Sequence, residues 1–194
     1  MTHMCIDKPS AGAGRLVRDI LLDLTCAARC DARVLITGDT VSGKRELAGM
    51  IHHGSRRAAE RFVSVDCAAA PDSLLEAKLF GRASTNALTP DRDHRGLLEQ
   101  ADGGTVFLEN IGAIGLALQA RLLDFVENGR IQRVGADAPH AIVDVRLISS
   151  ADPDLFARAE AMAFSEDLFY RLNVVHLVLP AFAAGGEPPQ TISH

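Results

Sequence analysis

The chain predicts a three-layer α/β domain built on a mostly parallel sheet, and three observations lead to it. Apolar, strand-like runs alternate with segments of helical periodicity along most of the sequence. The first run, Val34-Leu35-Ile36-Thr37, leads into Gly38-Asp39-Thr40-Val41-Ser42-Gly43-Lys44 and then a helical segment. That is the strand, Gly-x-x-x-x-Gly-Lys, helix order of a P-loop. A later run, Thr105-Val106-Phe107-Leu108-Glu109, is apolar on both faces and ends in an acid. Such a strand suits a parallel sheet, where ligands gather at the carboxyl ends of the strands.

At 194 residues the chain predicts one domain with a substantial core, and 47% hydrophobic residues exclude a disordered polymer. A net charge of −5 without a Lys/Arg cluster gives no footprint for direct nucleic-acid binding. No apolar run approaches the ~20 residues needed to span a membrane. The start, Met1 to Asp7, lacks a basic segment followed by an apolar one, so no signal peptide is read and the cytoplasm is expected. Cys26 and Cys30 lie four apart on a predicted helix, too few ligands for structural zinc. With Cys5 and Cys67 they are expected to be small reduced core residues.

Taken in order, residues 1–13 read as a loose N-terminus, 14–180 as the domain and 181–194 as a flexible tail. Leu16, Val17, Ile20, Leu21 and Leu24 recur at helical spacing between Arg15 and Arg29. The helix after the P-loop ends near His52-His53-Gly54, with both histidines expected on the surface. Phe62–Asp66 is a second strand, and Pro71 opens a helix carrying Leu74, Leu75 and Leu79. From Arg82 to Arg95 turn residues mark a long exposed loop. Leu97–Ala101 is a short helix, Thr105–Glu109 the third strand and Leu116–Glu127 a further helix. A small β-excursion, Arg130–Gly135, precedes a fourth strand over Val143–Ser149, with Arg130 and Arg133 read as a solvated hairpin. Leu168–Leu172 is helical, and Val174–Val178 is the fifth strand, with His176 read as a satisfied core histidine.

The loop itself suits a triphosphate. Its glycines allow the tight turn that points successive N–H groups into one concavity, and the helix start and Lys44 add positive charge. Gly38, Asp39, Thr40, Val41, Ser42, Gly43, Lys44 and Arg45 are the expected nucleotide-binding residues. Position 45 departs from the motif: a Ser or Thr hydroxyl there would hold Mg²⁺, and this chain has Arg45.

Several ordered stretches carry a resemblance. They are Leu79-Phe80-Gly81, Leu98-Glu99-Gln100-Ala101-Asp102-Gly103-Gly104-Thr105, Arg133-Val134-Gly135, Val143-Asp144-Val145-Arg146 and Glu166-Asp167-Leu168-Phe169-Tyr170-Arg171-Leu172-Asn173-Val174. Together with the P-loop they resemble the AAA+ domain of sigma-54-dependent transcriptional activators, the bacterial enhancer-binding proteins, over roughly residues 33–180. The resemblance implies a P-loop NTPase fold with a five-stranded, mostly parallel sheet. It also implies ATP and Mg²⁺ as cofactors, nucleotide held between subunits of a ring, and a mobile loop that remodels RNA polymerase carrying sigma-54. The family's helical lid, phosphorylation domain and DNA-binding helix-turn-helix are not among these residues, so direct DNA binding is not expected.

The departures fall on the chemistry. The family's Asp-Glu pair after the third strand corresponds to Glu109-Asn110. Glu109 is then the candidate metal ligand, while Asn110 could orient a water but not accept its proton. Of two arginines that the family sends across the subunit interface, only Arg171 is present, and Ser165 stands at the other position. The γ-phosphate-sensing Asn corresponds to Asp66, and the polar pair after strand four to Ala151-Asp152. Both aspartates would weaken binding of a tetra-anion. The sigma-54-contacting signature is replaced by Thr85-Asn86-Ala87-Leu88-Thr89-Pro90, without its Phe and glycines. The resemblance therefore does not carry the sigma-54 contact onto this segment.

Three functions stay open on these residues. The favoured one is an ATP-binding regulatory module, weak or inactive in hydrolysis, acting in transcription through partners in a homo-oligomer or with an intact activator. The second is a competent ATPase in which Glu109, Asn110 and a trans-acting Arg171 suffice. The third is a degenerate fragment without a ligand.

Overall fold

Val34–Thr37 (β1) is apolar up to its last residue, and all four of its residues are buried. In the computed structural model, which describes residues 22–39, 43–83, 94–136 and 141–179, β1 lies inside a five-stranded sheet. The other strands are Phe62–Asp66 (β2), Thr105–Glu109 (β5), Arg146–Ala151 (β8) and Val175–Val178 (β9), in the order β2-β5-β8-β1-β9. Every pairing in this sheet is parallel. Two short hairpins stand outside it: Gly81–Arg82 (β3) with His94–Arg95 (β4), and Arg130–Ile131 (β6) with Ala141–Ile142 (β7).

Alternation along the central strands explains the three layers. Val34, Ile36, Phe107 and Ile148 point to one face, where they pack with Ala27 of helix α1 (22–29) and with Leu47, Ala48 and Ile51 of α2 (Lys44–His53). Leu35, Val65, Val106, Leu108 and Leu147 point to the other. There they meet α3 (Asp72–Phe80), α4 (Leu97–Gln100), α5 (Leu116–Asn128), α6 (Leu155–Glu160) and α7 (Glu166–Leu172). Two helix layers on a parallel sheet are the expected way to bury strands that are apolar on both sides.

Several sequence expectations shift. The fourth strand begins at Arg146, not Val143, and runs on to Ala151. The Val143 N–H is bonded to the Gly129 carbonyl and the Asp144 N–H to the Asp102 carboxylate, so sheet pairing starts only afterwards. His52 is buried, not on the surface: it continues the α2 stripe of Lys44, Ala48 and Ile51, and its Nδ1 lies 3.0 Å from Thr105 Oγ1. Arg133 is buried and ion-paired with Glu99 at 3.0 Å, not solvated. Of the cysteines, Cys67 is buried, but Cys26 is exposed and Cys30 half-buried. Helix α6 and the 3-10 turn Ile111–Ala113 carry too little periodicity to be read locally. The expectations for 1–13, 181–194 and the segment 85–90 fall outside the described residues.

Where β3 and β4 pair, the backbone crosses closely. A Cβ on Gly96 would stand 2.2 Å from the Leu79 carbonyl oxygen and 2.4 Å from the Phe80 carbonyl carbon. Only a residue without a side chain fits there.

Candidate functional site

The site forms where β1, β2, β5 and β8 end. Gly43 caps α2 in a left-handed conformation (φ 75°), which a side chain would strain, and it turns the chain from the loop into the helix. Lys44 is the first residue of α2 and is 7% exposed. Its Nζ donates to the Gly38 carbonyl at 2.5 Å and to the Asp39 carbonyl at 2.9 Å, so the ammonium reaches back across the loop. Thr40, Val41 and Ser42 lie outside the described residues.

The next residue turns the other way. Arg45 makes a two-pronged contact with Glu109, the last residue of β5: Nη2 to Oε1 at 2.7 Å and Nε to Oε2 at 3.2 Å. The Ser64 hydroxyl also donates to Glu109 Oε1. Parallel register sets Asp66 beside Glu109. The Asp66 Oδ1 accepts from the Ala68 N–H at 2.9 Å and from Asn110 Nδ2 at 3.0 Å. Asn110 has φ 53°, a left-handed backbone that Asn tolerates better than most residues, and its N–H donates to Ser150 Oγ at 3.2 Å. Behind this group the Cys67 thiol is pushed up to about 12, first by burial and then by the charges of Asp66, Glu109 and Asp72. On the outer side, Thr37 Oγ1 and His176 Nε2 are 2.8 Å apart. His176 is satisfied, but it lies exposed on the edge strand instead of in the core.

A family model described as the sigma-54 interaction domain matches residues 11–178. The chain belongs to the sigma-54 interaction domain family. It is 43% identical over 162 residues to the regulatory protein AtoC of Escherichia coli, covering 84% of this chain and 35% of AtoC. It superposes on NtrX from Brucella abortus in complex with ADP with a TM-score of 0.79 and 31% identity, covering 90% of this chain and 38% of NtrX. NtrX in complex with ATP gives 0.78 and 30%, covering 90% and 39%. The chain thus spans about a third of the length of the curated relatives it matches. Its fold is the P-loop NTPase (AAA+) fold, and its relatives are transcription regulators.

Within this sigma-54 interaction domain, Lys44, Arg45, Glu109, Asn110 and Asp66 share one edge of the sheet. Arg171 is not with them. It sits at the end of α7, just before β9 begins, and pairs with Glu127 of α5 at 2.8 Å. Its charge bears on Arg33, which precedes β1, so it stands at the opposite edge from its own P-loop. Ser165 caps α7, accepting the Leu168 N–H at 3.2 Å, while its own N–H donates to Gln119 Oε1 at 2.7 Å. A cavity of about 320 Å³ opens at that same far edge, lined by Asp31, Arg33, Arg57, Asp144 and Arg146. Its Arg57 guanidinium is taken up by Asp31 and Asp144.

The donor set does not fit the Mg²⁺ that the family implies. Residue 45 has no hydroxyl, and the Glu109 oxygens already accept from Arg45 and Ser64. Among the described residues no group of three His, Cys, Asp or Glu side chains is placed to hold a metal ion. Ser64 escaped the sequence reading, although the alternation Ser64-Val65-Asp66 sets both polar residues on one face of β2.

Proposed function

We propose that this domain binds ATP or ADP at its P-loop, hydrolyses ATP slowly, and acts in transcription regulation through other AAA+ subunits, copies of itself or an intact activator. The observation that carries the reading is Lys44, held buried at the start of α2 with its ammonium on the loop that Gly38 and Gly43 bound. Helix α2 adds its positive end there. Solved relatives with ADP and with ATP support the same ligand.

Each residue has a part in this proposal. Gly38, Asp39, Thr40, Val41, Ser42 and Gly43 surround the phosphates with backbone, and Lys44 and Arg45 supply cationic groups. Asn110 orients water. With an amide instead of a carboxylate at that position, a factor of roughly 10²–10⁴ in rate is missing. Arg171, half-exposed and away from its own loop, acts on the nucleotide of a neighbouring copy. Among the described residues no helix is long and apolar enough to cross a membrane.

The test is calorimetry with ATP and ADP on the wild type and Lys44→Ala. Loss of at least about tenfold in affinity is expected for the variant. Equal affinity overturns the P-loop as the site. Phosphate release over a protein dilution series separates slow from competent turnover. A rate on the order of one per second, independent of dilution, overturns the slow-hydrolysis reading.

A further inference from the structure

P-loop domains hold Mg²⁺ between the hydroxyl that follows the lysine and a carboxylate at the end of a central strand. Here both positions have changed, and the two new side chains have found each other. The Arg45 fork closes on both oxygens of Glu109, at 2.7 and 3.2 Å, and Ser64 donates to the first of them. The Glu109 side chain is 15% exposed, so its partners are the protein's own. A divalent cation at this carboxylate would have to displace the guanidinium. It would then stand close to the guanidinium that it had displaced.

The same geometry leaves the guanidinium available to a ligand. Only its Nε and Nη2 face Glu109, and the Arg45 side chain is 61% exposed. Among the described residues the remaining edge, carrying Nη1, meets no acceptor, and it can donate to a phosphate in the planar, two-pronged manner that arginine favours.

We infer that this domain takes nucleoside di- and triphosphates in their metal-free form, with the Glu109-anchored guanidinium of Arg45 taking the place that Mg²⁺ has in P-loop domains generally. The inference rests on the nucleotide reading of the P-loop. Arg45 positions phosphate, and Glu109 fixes Arg45 instead of ligating metal.

Calorimetry of the whole chain with ADP, in EDTA and in excess Mg²⁺, tests it. Affinity in EDTA is expected to equal or exceed that in Mg²⁺, and a gain of more than about threefold on adding Mg²⁺ overturns the inference. Arg45→Ala should lose more than about threefold in EDTA, with Mg²⁺ restoring affinity once Glu109 is released. A smaller loss also overturns it. Arg45 lies on an exposed helix face, and an unchanged melting temperature checks that this variant folds. No ADP binding in either buffer would overturn the nucleotide reading itself. Binding that needs Mg²⁺ would overturn only the metal-free inference.

Discussion

Asn110 donates through Nδ2 to Asp66 Oδ1 at 3.0 Å, joining the residue after β5 to the last residue of β2. The resemblance implies a carboxylate at the first position and an amide at the second. In this chain the two groups have changed places, and a hydrogen bond joins them. The acid now belongs to β2, where the Ala68 N–H also anchors it.

Restoring one half of this pair should therefore do harm. Asn110→Glu alone sets two carboxylates against each other, and it puts a residue less tolerant of φ 53° into a left-handed turn. A loss of about 1–3 kcal/mol in unfolding free energy at neutral pH is expected. Adding Asp66→Asn should recover roughly half of it or more, because contacting residues are not additive. Urea denaturation of wild type, both singles and the double checks this. Additive losses would show that the bond carries no coupling.

Ser165 has a structural task that its place in the family pattern hides. Its hydroxyl caps α7 at the Leu168 N–H. Replacing it by Arg, which would supply the missing guanidinium, should cost about 0.5–2 kcal/mol through loss of the cap. Ser165→Asp should keep the cap and the stability. The urea midpoints of the two variants decide it, and equal midpoints would remove the cap as an explanation.

His52 makes stability depend on pH. Burial chiefly, and then the neighbouring His53, hold its imidazole below the usual 6.5. The unfolded chain takes up a proton near that value, and the folded chain does so only at lower pH. The contribution is thus fully present above about 6.5 and is lost as pH falls through the lowered folded value. His52→Gln should flatten the fall in melting temperature between pH 7 and pH 5. His176, also lowered, because its Thr37 side is partly buried, keeps part of the slope in that variant. An unaltered slope would exclude His52 as its source.

Two glycines should respond in opposite senses to the same substitution. Gly49, inside α2 with open space around its missing Cβ, should gain about 0.5–1 kcal/mol on Gly49→Ala. Gly96→Ala forces backbone apart at 2.2 Å and should cost about 1–3 kcal/mol. Thermal denaturation of both variants is the measurement, and a neutral Gly96→Ala would show that the crossing can relax.

The sequence alone determined the sheet, the loop and the family. A parallel strand buried on both faces must be an apolar run, and Val34–Thr37 and Thr105–Glu109 are such runs within a few residues. The glycines and Lys44 of the P-loop are likewise a local pattern. The buried stripe that claims His52 was present in the spacing 44, 48, 52, although adjacent histidines obscured it. The tertiary structure decided which polar groups meet. Arg45 and Glu109 are 64 residues apart, and Asn110 and Asp66 are 44 apart. Only the order β2-β5-β8-β1 brings their strand ends to one edge. Read along the chain, Arg45 is a lost hydroxyl and Glu109 a displaced acid, two separate defects. In the fold they form one ion pair, because strand order and register, which no local segment encodes, set a long cation opposite a long anion.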